Sequence, residues 1–320
     1  MALKRACCLL WAISIAILTI LGRTKAHKPI NMNVIDRCWR TNPSWRRNRH
    51  QLATCSVGYS GKMTNNIGRA VTNYKVTDPS DDPLNPRPGT LRHAMTSVRG
   101  KVWVTFARDM SIKLARPLLV SSYTTLDGRG VDVHIAHGAC LYLQRDGLID
   151  VTRGSTGITI SNNRFKLQNK VMLLGHDDGF RRDKSMRVTV AFNHFGPHCQ
   201  QRMPRLRFGY AHVVNNLYLG WGQYALGGSM NPGIKSQANL FIAPQGDNKE
   251  ITWDSSANGR FKSINDVLEN GASFKESADK GLTMRPNYRP DQNFEVADGR
   301  MVRALTSSAG ALICPRISTC

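Results

Sequence analysis

The chain has 320 residues and a formal net charge of +22, with 44 Lys and Arg against 22 Asp and Glu. An excess of this size predicts a polyanionic partner and excludes a polycation. Nucleic acid, an acidic polysaccharide and an anionic membrane surface all carry the required charge, so charge alone leaves these three open. The length permits either one elongated domain or two ordinary ones.

The first 26 residues have the pattern of an export signal. Lys4 and Arg5 precede an apolar run over residues 9–21, and residues 24–26 form a small-x-small cleavage site. The apolar run is shorter than the roughly 20 residues that a membrane-spanning helix needs, and no second run follows. We therefore predict a signal peptide over residues 1–26 and a secreted chain without a membrane anchor. The charge after cleavage would be about +18.

Cysteines support an extracellular environment, where disulfides persist. Six remain after the predicted signal: Cys38, Cys55, Cys140, Cys199, Cys314 and Cys320. The first two and the last two are close in sequence, and each pair would close a short loop near one end of the chain. Cys140 and Cys199 have no obvious partners. We interpret them as small buried core residues, although their pairing with each other stays open.

The middle of the chain carries a repeat. A proline-rich stretch over residues 78–89 predicts a loop, and residues 102–106 and 124–130 read as strand and turn. Beyond residue 120, an alternating apolar run is followed by Asn and then by another apolar or aromatic residue. Four copies are legible, at residues 158–163, 188–193, 212–216 and 233–239.

The asparagines of this repeat define its period. Asn163, Asn193, Asn216 and Asn239 are separated by 30, 23 and 23 residues, within the range of solenoid repeats. The period is short for strand–helix–strand units, and a β-sandwich would place turns every 8 to 12 residues. We predict an all-β fold, a single-stranded right-handed parallel β-helix, whose asparagines align in one turn and bond to each other along the stack.

The composition suggests how the chain is divided. We predict an N-terminal capping segment over residues 27–75, the β-helix over 76–245 and a C-terminal capping segment over 246–320. The last boundary is placed where the strand pattern fades into polar sequence that contains Gly and Ser. A solenoid needs such segments because its terminal repeats would otherwise expose the core.

Dispersed motifs indicate a family. The chain resembles the plant-type pectate lyases, which are calcium-dependent polysaccharide lyases with parallel β-helix folds. The motifs that carry the resemblance lie at residues 36–40, 77–82, 89–94, 127–130, 146–150, 171–176, 193–196, 201–207 and 309–312. They cover nearly the whole chain after the signal. The resemblance implies a β-helix enzyme that binds pectate, rather than nucleic acid, and acts as a monomer.

One departure from the family pattern affects the expected activity. Only five residues, 141–145, separate Cys140 from Asp146, whereas the family has further coils there. About two to three coils would be absent. The missing stretch would have carried the family's Asp-Gly-Asp calcium segment, its Trp-Ile-Asp-His motif and a cysteine that could pair with Cys140.

The resemblance implies a calcium site. Asp146 and Asp150 match two of the family's calcium ligands, and their spacing can bring both carboxylates to one rim of a β-helix. Calcium takes six to eight oxygen ligands, so two carboxylates make a weak site. We expect Ca²⁺ to bind loosely, or only with polymer present. The alternative is that both are ordinary turn aspartates.

The resemblance also implies catalytic cations. Arg202 matches the family's catalytic arginine, proposed there as the base, while Lys170, Arg205 and Arg207 fall where groups that bind the substrate carboxylates would lie. Arginine is an awkward base because the isolated side chain loses its proton only above pH 12 or so. The alternative is a solvated basic strand face. Alternation places Arg205 and Arg207 on one face, but Pro204 leaves the direction of the Arg202 side chain open.

The leading hypothesis is a secreted pectate lyase of the plant cell wall. It would cleave de-esterified homogalacturonan with calcium, using Arg202 as base and Lys170, Arg205 and Arg207 as substrate clamps. A second hypothesis is a pectin-binding protein that has lost a working metal site. A third is an incomplete gene product that does not fold stably.

Overall fold

The computed structural model describes residues 32–136, 148–256, 258–277, 284–312, 314 and 320. The predicted signal peptide, Cys140 and Asp146 lie outside these residues. Within the described part, no helix has the length and apolar character that crossing a membrane requires.

The described chain begins with short helices. Helix α1 (Val34–Arg40) is capped by the Asn33 side chain, which accepts hydrogen bonds from two backbone N–H groups, and α2 is Gln51–Cys55. The 3₁₀ turns Gly58–Ser60 and Thr64–Asn66 follow. A disulfide between Cys38 and Cys55 joins the two helices and confirms the predicted pair. The predicted pair Cys314–Cys320 is confirmed at the other end.

A parallel sheet comes next, with its own apolar core. It contains β1 (Val71–Val76), β2 (Lys101–Phe106) and β4 (Thr124–Asp127), while β3 (Met110–Lys113) pairs with β5 (Val133–Ala136). Helix α3 (Leu91–Thr96) begins at Thr90, whose hydroxyl accepts from the His93 N–H. The buried residues of this part include Val76, Leu91, Val104, Ile112 and Leu118.

Three stacked parallel sheets form the rest of the fold. Sheet one contains β6 (Ile149–Val151), β10 (Met172–Leu174), β14 (Arg205–Arg207), β17 (Leu226–Ser229) and β20 (Thr252–Asp254). Sheet two contains β7 (Ile158–Ser161), β11 (Arg187–Ala191), β15 (Tyr210–Val214), β18 (Gly233–Gln237) and β21 (Arg260–Ile264). Sheet three contains β8 (Arg164–Phe165), β12 (His194–Phe195), β16 (Leu217–Leu219), β19 (Leu240–Ile242) and β22 (Val267–Glu269). Between β8 and β10 lies β9 (Gln168–Lys170), which pairs with β13 (Cys199–Gln201).

Each coil contributes one strand to every sheet, so the predicted parallel β-helix is confirmed. The inward residues of all three sheets make one core. Cys199 lies in this core as a buried thiol, and burial raises its pKa to about 11. This placement agrees with the prediction of a small core residue.

The asparagines form the predicted ladder in the turn between sheets two and three. The Nδ2 group of Asn163 donates to Oδ1 of Asn193 at 3.1 Å, Asn193 donates to Asn216 at 3.0 Å, and Asn216 donates to Asn239 at 2.9 Å. Asn239 donates in turn to Oδ1 of Asp266 at 3.1 Å. In every coil the preceding residue is left-handed, with φ between 50° and 59°.

An aromatic stack runs beside the ladder on the inner face of sheet three. The rings of Phe165, Phe195, Tyr218 and Phe241 lie one above the other, with centroid separations of 5.0, 4.8 and 4.3 Å. These are register partners on successive strands. The ladder and the stack therefore fix the same register from the polar and the apolar side.

The coils continue past residue 245, where the sequence pattern had led us to end them. Strands β20, β21 and β22 add a further turn that ends at Glu269. The pattern fades because Asp266 replaces the ladder asparagine and Leu268 replaces the stacked aromatic residue. The 3₁₀ turn Gly299–Met301 and helix α4 (Val302–Leu305) follow.

Both terminal segments pack on the outer face of sheet two. Tyr59 N donates to Oγ1 of Thr189 at 3.0 Å, and the same hydroxyl lies 2.7 Å from that of Tyr288. Asn33 donates to Asn162 and also to the carbonyl of Leu305. The two ends of the chain therefore contact each other and the coils that separate them in sequence.

A buried ion cluster joins the N-terminal segment to the sheet that contains β1, β2 and β4. The Asp127 carboxylate accepts from Arg129 at 2.7 and 2.8 Å, and Arg49 lies 3.1 Å away. Burial raises the pKa of this carboxyl, but the hydrogen bonds and charges of the two arginines outweigh burial, so the pKa is lowered overall. The Arg129 guanidinium also lies 4.7 Å from the Trp39 ring.

The ladder can be tested at its centre. Asn216 is fully buried, and Asn216→Ala would leave the Asn239 oxygen and the Asn193 amide without this partner. We expect a loss of about 2 kcal/mol or more in the free energy of unfolding, measured by urea denaturation. Asn65→Ala, at an exposed position, is the control. Equal midpoints for the two variants would contradict a stabilising ladder.

The Asp127 cluster predicts a pH dependence of stability. A carboxyl whose pKa is lowered on folding stabilises the protein above its unfolded pKa of about 3.9, and that contribution is lost as the pH falls through the folded value. Asp127→Asn should lower the urea midpoint at pH 7 and reduce its further decline towards pH 3. Asp247→Asn, at an exposed position, should follow the unsubstituted protein. A decline unchanged by Asp127→Asn would count against this cluster.

Candidate active site

Lys170 and Arg202 lie on adjacent coils, where the chain enters sheet one. Lys170 ends β9 and pairs in register with Gln201, the last residue of β13, and Arg202 follows directly. The Met172 N–H donates to the Arg202 carbonyl at 2.7 Å. The two predicted cations are therefore brought to the same entrance of the sheet.

Arg202 is a buried side chain in a special backbone conformation. Its φ is 63°, in the left-handed region, and its side chain is 5% exposed. It lies close enough to Tyr224 for its charge to oppose the rise that burial causes in the pKa of the Tyr224 hydroxyl. The sequence left the direction of this side chain open, and the structure excludes a fully solvated position.

Arg205 and Arg207 alternate with a core residue. Leu206 is fully buried, so both arginines project from the outer face of sheet one, as alternation predicted. Burial, followed by the charge of Arg207, lowers the pKa of Arg205. The Arg205 guanidinium lies 5.1 Å from the Trp253 ring centroid.

Arg207 is held by a neighbouring loop. Its Nε donates to Oδ1 of Asp178 at 3.0 Å, and its Nη1 group donates to the His176 carbonyl. Gly175 has φ of 114°, and a Cβ there would lie 2.6 Å from that of Arg207. Only glycine therefore lets the loop approach closely enough for Asp178 to reach the guanidinium.

A row of residues crosses the outer face of sheet one. Strand register places Asp150 beside Leu173, Leu173 beside Arg205, Arg205 beside Gly227 and Gly227 beside Trp253. The row begins at a carboxylate, passes a guanidinium and ends at an indole. The row runs across the strands, at right angles to the chain direction.

The carboxylate end of this row does not make a complete metal site. Asp150 lies inside β6 and is 7% exposed, so it is not the turn aspartate of the alternative reading. Asp146 lies outside the described residues. Across the described ranges, no group of three His, Cys, Asp or Glu side chains is placed to hold a metal ion. The described residues alone therefore do not fit calcium, which takes six or more oxygens.

Sequence reasoning missed Tyr224 and Trp253. Their rings are stacked, with centroids 5.2 Å apart and planes 16° apart. The Tyr224 hydroxyl lies 3.2 Å from Oε1 of Gln201, next to Arg202. Trp253 could have been found by extending the strand repeat from Arg205 through Gly227, but these residues meet only across coils.

The comparisons with known proteins identify the family of the chain. The family model described as pectate lyase matches residues 136–300. Among curated proteins, probable pectate lyase 4 of Arabidopsis thaliana is 43% identical over 336 residues, covering 89% of this chain and 90% of the relative. A pectate lyase of Zinnia elegans is 39% identical, covering 90% of this chain and 87% of the relative.

Solved structures share the fold. The crystal structure of jun a 1, the major cedar pollen allergen, has a TM-score of 0.75 and 39% identity, covering 88% of this chain and 99% of that one. A pectate lyase variant from Xanthomonas campestris has a TM-score of 0.57 at 17% identity, which shows the fold alone. The chain is thus a parallel β-helix protein of the polysaccharide lyase type. It belongs to the pectate lyase family and is an enzyme of that class, a carbon–oxygen lyase.

The ion pair between Arg207 and Asp178 predicts an effect on substrate affinity. Asp178 is largely exposed and places a negative charge beside Arg207. Asp178→Asn should tighten the binding of polygalacturonate two- to threefold at low ionic strength, and salt should remove the gain. Affinity electrophoresis would measure it. Asp298→Asn, which breaks an exposed pair with Arg300, is the matched control. Equal effects of both substitutions would contradict a local role.

Proposed function

We propose that this enzyme cleaves de-esterified homogalacturonan, a (1→4)-α-D-galacturonan, by β-elimination in the plant cell wall. The observation that carries the proposal is the grouping of Arg202, Lys170, Arg205 and Arg207 at one face of the β-helix. A polymer with one carboxylate per sugar complements that face. The names of the plant relatives support the substrate class.

The reaction requires removal of a proton from the carbon α to the uronate carboxylate. Arg202 in its neutral form accepts this proton, the electron pair forms a carbon–carbon double bond, and the adjacent carbon–oxygen bond breaks. The departing oxygen takes up a proton and leaves a new sugar end. Cations aimed at the carboxylate stabilise the negative charge that develops there. We propose that this stabilisation comes from Lys170, Arg205 and Arg207.

The surroundings of Arg202 support its proposed role. Arg202 is buried, and Arg205 is close enough for their charges to interact. Tyr224 also lies close to the guanidinium. Alkaline conditions would still be needed.

We also propose that calcium takes part in the reaction as a loosely bound ion. Asp150, together with Asp146 and the carboxylates of the substrate, would contribute oxygen ligands. Because the described carboxylates do not form a site of their own, we propose loose binding that strengthens with polymer present. When bound, the ion would supply positive charge at the substrate carboxylate.

A missing segment between Cys140 and Asp146 remains a prediction, and the alignments support it. Putative pectate lyase 17 of Arabidopsis thaliana aligns over 363 positions, more than the 320 residues of the whole chain. The relative therefore has positions without a counterpart here.

A catalytically impaired pectin-binding protein is the second candidate function, and the lack of a metal cluster in the described ranges favours it. The third reading, an incomplete product that does not fold stably, is tested by whether the protein shows a cooperative unfolding transition.

The proposal is tested by ultraviolet absorbance of the unsaturated uronide. Mature protein with polygalacturonate at alkaline pH should produce a rise that a calcium chelator abolishes. Arg202→Lys, which changes fork geometry and basicity, should reduce the rate about 100-fold or more. Arg300→Lys, at an exposed position, should leave the rate unchanged.

The remaining outcomes separate the two functions. No rise from a sample with a cooperative unfolding transition would reject the lyase proposal, and salt-sensitive binding of polygalacturonate would then support a binding protein. Equilibrium dialysis with calcium alone and with polymer would test the metal separately. Tight binding of calcium without polymer would contradict the weak site proposed here.

A further inference from the structure

We infer that Trp253, supported by Tyr224, is a stacking subsite for a galacturonide ring of the polymer, with Arg205 beside it for the carboxylate of that sugar. This inference rests on the proposed function because it concerns the same polymer. It adds a binding contact that involves no metal and no proton transfer, and it can be measured without turnover.

Exposure distinguishes Trp253 from the other tryptophans. Its side chain is 42% exposed, whereas the remaining tryptophans of the described chain are at most 3% exposed, namely Trp39, Trp45, Trp103 and Trp221. Leaving an indole in water forgoes the free energy of burying it. Exposed aromatic groups beside a few convergent polar groups are typical of binding sites.

Tyr224 holds the indole in place. Its ring is stacked on Trp253 and also lies against the backbone of β17 at Gly227, where any Cβ would overlap the tyrosine ring. The Tyr224 side chain is itself buried, and its hydroxyl lies within hydrogen-bond distance of Gln201. The indole is therefore backed by a fixed ring, and its orientation costs little entropy on binding.

The chemistry of the surroundings indicates the ligand. A galacturonide offers C–H groups on its ring faces, which pack against a flat aromatic surface, and a carboxylate that an arginine can bind. The Arg205 guanidinium lies over the Trp253 ring, 5.1 Å from its centroid, so a carboxylate can reach the guanidinium when the sugar lies against the exposed part of the indole. A purely apolar ligand would leave this guanidinium unmatched.

The strand register places the subsite at one end of the row that crosses sheet one. Trp253 lies four strands from Asp150 along the row, which corresponds to about 19 Å at the usual spacing between strands. Tyr224 stacks on the indole, and its hydroxyl lies 3.2 Å from Oε1 of Gln201, the residue before Arg202. A polymer chain that contacts both ends of the row must therefore contain several sugars.

Intrinsic fluorescence provides a direct test. Because the other tryptophans of the described chain are buried, iodide quenching of the mature protein should report mainly on Trp253. Saturating polygalacturonate should protect this fluorescence. Trp253→Phe should remove the iodide-sensitive part of the signal. Binding of polygalacturonate without protection of the fluorescence would overturn the inference.

Affinity measurements provide the second test. Trp253→Ala should weaken polygalacturonate binding about five- to tenfold, and Trp253→Phe should restore most of the affinity. The salt dependence of binding should be unchanged because no charge is lost. Leu268→Ala, a residue of equal exposure on sheet three, is the matched control and should bind normally. Unchanged affinity of Trp253→Ala would overturn the inference.

These outcomes are distinguishable from failure of the proposed function. Protection of Trp253 together with an absence of unsaturated product would leave the subsite standing and reject the lyase proposal. Lyase activity of the unsubstituted protein, together with normal affinity of Trp253→Ala for polygalacturonate, would support the lyase proposal and reject the subsite. A folded protein that does not bind polygalacturonate at all would reject the subsite.

Discussion

Side-chain amides that bond to each other from coil to coil are the constraint on which the rest of this structure depends. Asn193, Asn216 and Asn239 are fully buried, and burying an amide is costly unless its hydrogen bonds are made. A shift of register by one residue would leave every rung unsatisfied. The ladder therefore fixes which residues face outward on sheet one, including Arg205 and Trp253.

The terminal segments extend this order along the outside of the β-helix. Tyr59 and Tyr288 meet over Thr189 on sheet two, while Arg49 and Arg129 surround the Asp127 carboxylate. A solenoid gains most of its stability from contacts between neighbouring coils. Contacts that connect distant coils make unfolding more cooperative. The contacts of the terminal segments therefore help to stabilise the coils that carry the active face of sheet one, although they lie on another face.

Much of the fold could be predicted from sequence because its determinants are local and periodic. The asparagines at positions 163, 193, 216 and 239 carried the period, and both terminal disulfides followed from close cysteine pairs. The last coil was missed because Asp266 and Leu268 break that pattern. The basic residues of the site were found by family matching, whereas Trp253 was not, since its neighbours lie on other coils and the sequence between them has no common motif.

The ladder has a direction. Each amide donates toward the C-terminal coils, and the last acceptor is Asp266, a carboxylate that cannot pass a hydrogen bond onward while ionised. Burial raises the pKa of this carboxyl, which the Ser236, Asn239 and Ser263 bonds oppose. The ladder therefore ends at Asp266, while the first rung, Asn163, would accept from an asparagine on a preceding coil. Evolution can therefore change the number of coils before Asn163 without breaking a rung, so a shortened β-helix of this type can keep its interior intact.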